Sequence, residues 1–202
     1  GVVALELTEE EETTFEVSDG AVLELGLTSP HFITNKGSRT AELENPYVLL
    51  MNNKLESLQT IIPILEVVVE NNASLLIVAD VDPKVLNTLA VNKIQNNMKI
   101  NVVDAPAHGP FRSDRFEELA AITGATVLDE KLGDDLNLIQ LEHLGRCEKT
   151  TTSNGETIIK PVEEGQAEVE EIVSSTEAKL RDTKNPIEVT RLEQRLAVLN
   201  GK

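Results

Sequence analysis

One stretch of the sequence, residues 55–97, restricts the fold more than any other. Two segments with apolar residues at helical spacing, 58–70 and 84–94, flank a short apolar run that is typical of a buried strand, residues 75–79. The first predicted helix carries one main apolar stripe, formed by Leu58, Ile61, Leu65 and Val68. Further apolar residues widen the arc on both helices. Such helices are either deeply buried or keep part of their apolar surface for a partner.

The alternation of strand and helix continues beyond this stretch. Runs typical of strands lie at residues 47–51, 75–79, 100–104 and 125–128. Helical segments separate them, at residues 58–71, 84–97 and 113–123. Because strands that alternate with helices form βαβ units, we predict a mostly parallel sheet covered by helices.

Turn signals and a change of composition organise the rest of the chain. Further strands are predicted at residues 1–7 and 14–17, residues 21–25 form another apolar run, and a short helix is predicted at residues 134–144. Residues 146–159 are predicted to form a β-hairpin that turns at Asn154-Gly155. After Pro161 the chain is rich in glutamate, and two helices should form an antiparallel pair. The predicted fold class is therefore α/β, with a mostly parallel sheet, β-hairpins and a C-terminal helix pair.

Capping signals predict where several helices begin and end. Asp82 is a good N-cap and Pro83 a good first-turn residue for the second helix, and Asn185 plays the same part before the last one. Gly124 should end the third helix. Pro63 lacks a backbone donor, so the first helix either begins just before it or kinks there.

Charge and cysteine content limit the possible partners. Acidic residues outnumber basic ones by 35 to 18, which gives a net charge of −17. Nucleic-acid binding depends on Lys and Arg that neutralise phosphates, so no nucleic-acid partner is expected. An anionic membrane surface is disfavoured for the same reason, and no apolar run has the length of a membrane span. The single cysteine, Cys147, cannot form an internal disulfide, which favours a reducing compartment.

One arrangement points to chemistry. Asp80 and Asp82 directly follow a predicted buried strand and form an Asp-x-Asp motif. Phosphohydrolases of the haloacid-dehalogenase type use such a motif to bind Mg²⁺ and to supply a nucleophilic aspartate. Because the capping of the second helix already explains Asp82, a purely structural role for this aspartate is favoured over Mg²⁺ binding. The three histidines are scattered, and no glycine-rich phosphate loop is present, so no metal site is expected.

Six motifs follow one another along nearly the whole chain. They are LTSPHF (27–32), IPILE (62–66), LLIVA with LNTLAVN (75–79 and 86–92), AP (105–106), ITGATV (122–127) and LEQRLAVLNG (192–201). In sequence, order and spacing these motifs resemble the group I chaperonins, the GroEL family.

The resemblance implies a domain organisation. Residues 20–160 would be the apical, client-binding domain, with Gly20 as a hinge, and residues 1–19 and 161–202 would be intermediate-domain segments. The family's ATP-binding domain would be absent, so the sequence would be a piece of a longer protein. No cofactor and no enzymatic activity are expected of this piece, although the parent would bind ATP and Mg²⁺. Bacterial cytoplasm, chloroplast stroma or mitochondrial matrix would be its compartment.

The resemblance also implies a binding site. In the family, two helices and the Ser-Pro-Phe segment bind unfolded polypeptide clients and the mobile loop of a GroES-like co-chaperonin. Carried over by position, the binding residues are Leu27, Ser29, His31, Phe32, Ile62, Leu65, Val69, Leu86, Ala90, Val91 and Asn92. Other subunits of the parent ring would be further partners.

The sequence departs from the family pattern at five positions. Leu27 and His31 stand where the family has tyrosines, Ala90 where it has a valine, and Gln95 near the position of a family arginine. Glu188 lies near the position of a family aspartate that activates water in ATP hydrolysis. Two alternatives remain open beside the chaperonin hypothesis: a phosphohydrolase that uses Asp80 and Asp82, and a non-catalytic adaptor with both helices buried. The exposure of Ile62, Leu65, Leu86 and Val91 distinguishes the adaptor from a binding groove.

Overall fold

The computed structural model describes residues 20–106 and 108–201, so the predicted strands at 1–7 and 14–17 lie outside the described part. The strands there are β1 Ala21–Leu23, β2 Ala41–Glu44, β3 Tyr47–Met51, β4 Ser74–Val78, β5 Lys99–Val103, β6 Val127–Leu128, β7 Gly145–Arg146, β8 Lys149–Thr152 and β9 Thr157–Lys160. The α-helices are α1 Ile62–Glu70, α2 Pro83–Asn96, α3 Pro110–Thr123, α4 Glu163–Asp182 and α5 Pro186–Asn200.

A parallel sheet forms the centre of the fold. Its strand order is β5-β4-β3-β6, and β7 pairs antiparallel with β3. The chain moves outward from β3 through β4 to β5 and then returns to β6 on the other side of β3. Helices α1 and α2 pack on one face of the sheet and α3 on the other. The predicted α/β class with helices covering a mostly parallel sheet is confirmed.

An antiparallel sheet packs beside this parallel one. Its strand order is β1-β9-β8-β2. Strands β8 and β9 form the hairpin that was predicted at residues 146–159, shifted by a few residues. Strand β1 completes the sheet by pairing Ala21 with Ile159, so residues far apart in sequence lie on neighbouring strands. The sequence pattern gave no sign of this long-range pairing.

Both faces of the central strands are buried, which explains their continuous apolar sequences. In β4, Leu75 and Ile77 contact the cluster under α1 and α2, whereas Leu76 and Val78 contact the cluster under α3 and the antiparallel sheet. Parallel strands covered on both sides need apolar residues at every position rather than at alternate ones. Because aromatic residues are rare, Val, Leu and Ile fill most of this volume.

The predicted caps agree with the structure, but α1 begins four residues later than the predicted start at residue 58, after a 3₁₀ turn at Leu58–Thr60. Asp82 Oδ1 accepts a hydrogen bond from Lys84 N at 2.9 Å, and Asn185 Oδ1 accepts one from Ile187 N at 2.9 Å. Gly124 ends α3 with φ of 76°, in the left-handed region that glycine adopts without strain. Pro63 occupies the first turn of α1, where its missing donor breaks no helical hydrogen bond. Of the two predicted alternatives, a start just before Pro63 or a kink at Pro63, the structure shows the first.

The prediction of a short helix at residues 134–144 is wrong. Only a 3₁₀ turn, Leu141–His143, lies in that range. Asp134 Oδ2 accepts from Asp129 N at 2.9 Å and Asp135 Oδ1 accepts from Asn137 N at 2.9 Å. Aspartates that bond nearby backbone in this way stabilise turns in competition with helix. The apolar residues that suggested a helix are instead divided between core and surface.

Charged side chains connect the C-terminal helix α5 to α3. The Arg191 guanidinium donates to both carboxylate oxygens of Asp114, at 2.9 and 2.8 Å. Glu118 is almost fully buried and accepts from Arg115 at 2.6 Å and from Arg195 at 2.8 Å. Buried carboxylates are tolerated when several donors satisfy them, as here. The network therefore holds the helix pair against the α/β part of the chain.

Acidification is expected to weaken this connection. The hydrogen bonds from Arg191 hold the pKa of Asp114 below its usual value of 3.8. Because the folded state favours the ionised carboxylate, the stabilisation is fully present above about pH 4 and is lost as the pH falls through the lowered pKa. Urea unfolding at about pH 5 and about pH 2.5 should therefore show a larger loss for the wild type than for Asp114→Asn. Equal losses would mean that this ion pair does not contribute.

Gly20 directly precedes β1 and packs against the backbone of β9. A Cβ at this position would be 2.8 Å from the carbonyl oxygen of Ile159, too close for any side chain. Strand packing alone thus requires glycine at this position. Its role as a hinge stays a prediction, as do the boundaries at residues 20 and 160.

Candidate functional site

A groove separates α1 from α2 on one face of the parallel sheet. Its volume is about 420 Å³. The residues that line it are Leu58, Ile62, Leu65, Glu66, Val69, Glu70, Leu89, Asn92, Asn96 and Met98. Most of the lining surface is therefore apolar and comes from α1 and the turn before it.

The wide apolar arc of α1 divides into two stripes. Ile61, Ile64 and Val68 are buried against the sheet. The groove stripe follows helical spacing one position later, with Leu58, Ile62, Leu65 and Val69. The single stripe predicted from the sequence is wrong, because it joined Leu58 and Leu65 from the groove with Ile61 and Val68 from the core. Of these groove residues the sequence-based prediction omitted Leu58, although its spacing from Ile62 could have indicated it.

The wall contributed by α2 is polar above an apolar floor. Leu89, 1% exposed, forms part of the floor. Above it, Asn92 Nδ2 donates to Thr88 O at 2.8 Å, and Asn96 Nδ2 donates to Asn92 Oδ1 at 2.9 Å. These bonds fix the direction of the two amides along the helix. The groove thus pairs one apolar wall with one wall of amides, of which the family resemblance predicted Asn92 but not Asn96.

Four of the eleven predicted binding residues line the groove: Ile62, Leu65, Val69 and Asn92. Val69 is 56% exposed, whereas Ile62 and Leu65 are half-buried. On α2, Val91 is 40% exposed but lies outside the groove, and Leu86 is half-buried against the core. Deep burial of both helices, as the adaptor alternative requires, does not fit these exposures.

The other predicted residues of α2 and the Ser-Pro-Phe segment are placed differently. Ala90 is 2% exposed and Phe32 is fully buried, so neither side chain can contact a partner in this conformation. The 3₁₀ turn Pro30–Phe32 packs against α2 and β5, and Ser29 Oγ caps it by accepting from His31 N at 3.2 Å. Leu27 is half-buried against the core, and among the four predicted binding residues of this segment only His31 is exposed. This segment supports α2 rather than lining the groove.

The carboxyl ends of the parallel strands were the other candidate site. The strand order reverses between β3 and β6, where open α/β sheets commonly bind ligands. Here the Arg112 guanidinium occupies that position: its Nε donates to Asn52 Oδ1 at 2.6 Å and its Nη1 lies 3.5 Å from Asp80 Oδ2. Asn52 in turn donates to Asp129 at 2.9 Å. These side chains satisfy one another, so the geometry gives the phosphohydrolase alternative no specific support.

The predicted cap role of Asp82 can be tested by two substitutions. Asp82→Ala should lower the free energy of unfolding by about 1 kcal/mol, because the bond to Lys84 N is lost. Asp82→Asn keeps an oxygen acceptor and should retain most of the stability. Urea unfolding measures both. A Mg²⁺-dependent phosphatase activity that Asp80→Asn abolishes would instead favour the phosphohydrolase.

The cysteine and histidines show no common site. Burial raises the pKa of the Cys147 thiol to about 12, so it stays protonated at neutral pH. His143 Nδ1 accepts from Gln140 N at 3.0 Å in a turn. Among residues 20–106 and 108–201, no three His, Cys, Asp or Glu side chains converge as metal ligands would.

A second set of exposed apolar residues follows β6, namely Leu132, Leu138 and Leu141. None of these three residues lines the groove between α1 and α2. We therefore base the functional argument on the groove, which is both concave and apolar. In the described part of the chain no helix has both the length and the apolar character needed to cross a bilayer. Models of known protein families give no match to the sequence.

Proposed function

We propose that residues 20–160 form the apical domain of a group I chaperonin subunit and that the groove between α1 and α2 binds unfolded polypeptides. The ordered motifs of the sequence support the family. The observation that carries the proposal is the groove itself, because Val69 is exposed while Ile62 and Leu65 are only half-buried beside it. Apolar surface left in a concave site is typical of a binding surface.

The dimensions of the groove suit a short extended segment. The nine residues of α1 span about 13 Å at 1.5 Å per residue. About four residues of extended chain cover this length, at roughly 3.3 Å each. Burying about 200 Å² of apolar surface would contribute about 5 kcal/mol before the entropic cost of binding. Apolar contact in one groove therefore gives weak binding that discriminates little among apolar side chains, and several grooves in a ring would strengthen binding by avidity.

The remaining parts of the proposal follow from the family. The mobile loop of a GroES-like co-chaperonin would compete with clients for the same groove. ATP and Mg²⁺ would be bound by the parent protein outside this segment, and residues 1–19 and 161–202 would belong to its intermediate domain. The compartment would be a bacterial cytoplasm, a chloroplast stroma or a mitochondrial matrix, in keeping with a single, buried cysteine.

Fluorescence anisotropy with a labelled peptide tests the proposal. A flexible peptide with four consecutive apolar residues should bind saturably, and a peptide of equal length with serine at those positions should not. An unlabelled co-chaperonin loop peptide should displace the bound peptide. If the apolar and the serine peptides both fail to bind at millimolar protein, the groove is not a polypeptide site.

A further inference from the structure

We propose that the groove selects apolar segments that are flanked by lysine or arginine. The inference rests on the proposed function and adds the chemical class of the preferred client. Two carboxylates, Glu66 and Glu70, lie along the apolar wall of the groove and help to line it. They are four residues apart, so both project from the same side of α1.

Neither carboxylate is neutralised within the part of the chain that the structure describes. Both side chains are exposed, and the ion pairs of the described residues involve neither. The opposite wall offers amides, Asn92 and Asn96, and no cation. Residues 1–19 contain no Lys or Arg that could pair with them. The groove thus combines an apolar stripe with two uncompensated negative charges.

A bound segment would meet these charges at its flanks. An apolar core of about four residues fills the length of α1, and long basic side chains on either side can reach Glu66 and Glu70 with their apolar stems still on the groove wall. Acidic flanks would instead be repelled. Exposed charge pairs are individually weak, and two of them are expected to change the dissociation constant by about threefold to tenfold.

Three capped peptides with one apolar core test the inference. Their flanks carry paired lysines, paired serines or paired glutamates. At low salt the dissociation constants should rise in that order, with lysine and glutamate flanks differing by about tenfold. At about 0.5 M NaCl the difference should fall to within about twofold, because salt screens exposed charges.

A matched pair of variants separates the groove charges from the net charge of the chain. Glu66→Gln with Glu70→Gln should remove most of the preference for lysine flanks. Glu164→Gln with Glu168→Gln on α4 alters the net charge equally, at the same spacing and at exposed positions, and should leave the preference intact. Equal effects of the two pairs would overturn the inference. So would equal binding of all three peptides by the wild type, with the proposed function left standing, whereas binding of none would overturn both.

Discussion

Replacing Ile62 and Val69 together by serine is expected to weaken binding of an apolar peptide by roughly tenfold to a hundredfold. Both side chains belong to the groove stripe of α1, and each would bury further apolar surface against a bound segment. Losing that contact at both positions removes about 1.5–3 kcal/mol, and about 1.4 kcal/mol corresponds to a factor of ten. Peptide anisotropy measures the change directly.

The fold should survive this double substitution. Val69 is mostly exposed and Ile62 half-buried, and serine is similar to valine and isoleucine in helix propensity. The control is Leu138→Ser with Ile187→Ser, which removes two exposed apolar side chains outside the groove. If the control weakens binding as much as the groove variant does, general surface hydrophobicity and not the groove captures the peptide.

Val91→Ser gives an independent test of how the family resemblance maps onto the structure. The resemblance assigns Val91 to the binding site, whereas the cavity is lined by other residues of α2. A loss of binding in this variant comparable to that of Val69→Ser would mean that the bound segment extends across α2 beyond the groove.

Leu89→Ala is expected to produce the largest loss of stability. Leu89 is buried between α2 and the sheet, at the floor of the groove. Truncation of such a leucine typically costs about 2–5 kcal/mol, because transfer energy is lost and a cavity remains. In a chain of about this size each kcal/mol lowers the melting temperature by about 2–4 °C, so we expect a decrease of about 5–20 °C.

Val91→Ala serves as the matched control for this prediction. It removes a side chain of similar type from the same helix at an exposed position, and should change the free energy of unfolding by at most about 0.5 kcal/mol. Thermal unfolding followed by circular dichroism compares the two variants. A melting temperature for Leu89→Ala within about 2 °C of the wild type, which corresponds to a loss of only about 0.5–1 kcal/mol, would mean that α2 is not packed on the sheet as described.

Local signals made the central βαβ units predictable. Strand β3 was predicted at residues 47–51 and lies at Tyr47–Met51, because its apolar run is continuous and bounded by Pro46 and Asn52. Helix α2 was predicted to begin at residue 84 and to end at residue 94 or 97, and it lies at Pro83–Asn96; its start was predictable because Asp82 and Pro83 define it. Helix α3 begins three residues earlier than predicted, since Pro110 occupies its first turn after Gly109.

Features that depend on distant residues were not predictable in this way. Pairing of Ala21 with Ile159 joins segments whose own sequences indicate only that each is a strand. In the site, the choice between Ile64 and Leu65 as the core residue depends on how α1 is rotated on the sheet. Both residues are apolar and adjacent, so periodicity alone cannot decide between them. The contribution of Asn96 was likewise not predictable, because it depends on which face of α2 meets α1.

The pairing of β1 with β9 also determines the order in which a ribosome can complete the fold. Residues 62–103 carry the groove helices and the strands beneath them, and they emerge before residue 157, where β9 begins. Until then β1 lacks its partner, and closing so long a loop carries an entropic cost that local contacts do not. When the whole chain refolds, the same entropic cost should appear in pulse-labelled hydrogen exchange as earlier protection of β4 amides than of β1 amides. During synthesis the groove helices therefore leave the ribosome while the segments from β9 onward are still unfolded, so we expect the chain's own later segments to lie near the apolar surface of α1 at that stage.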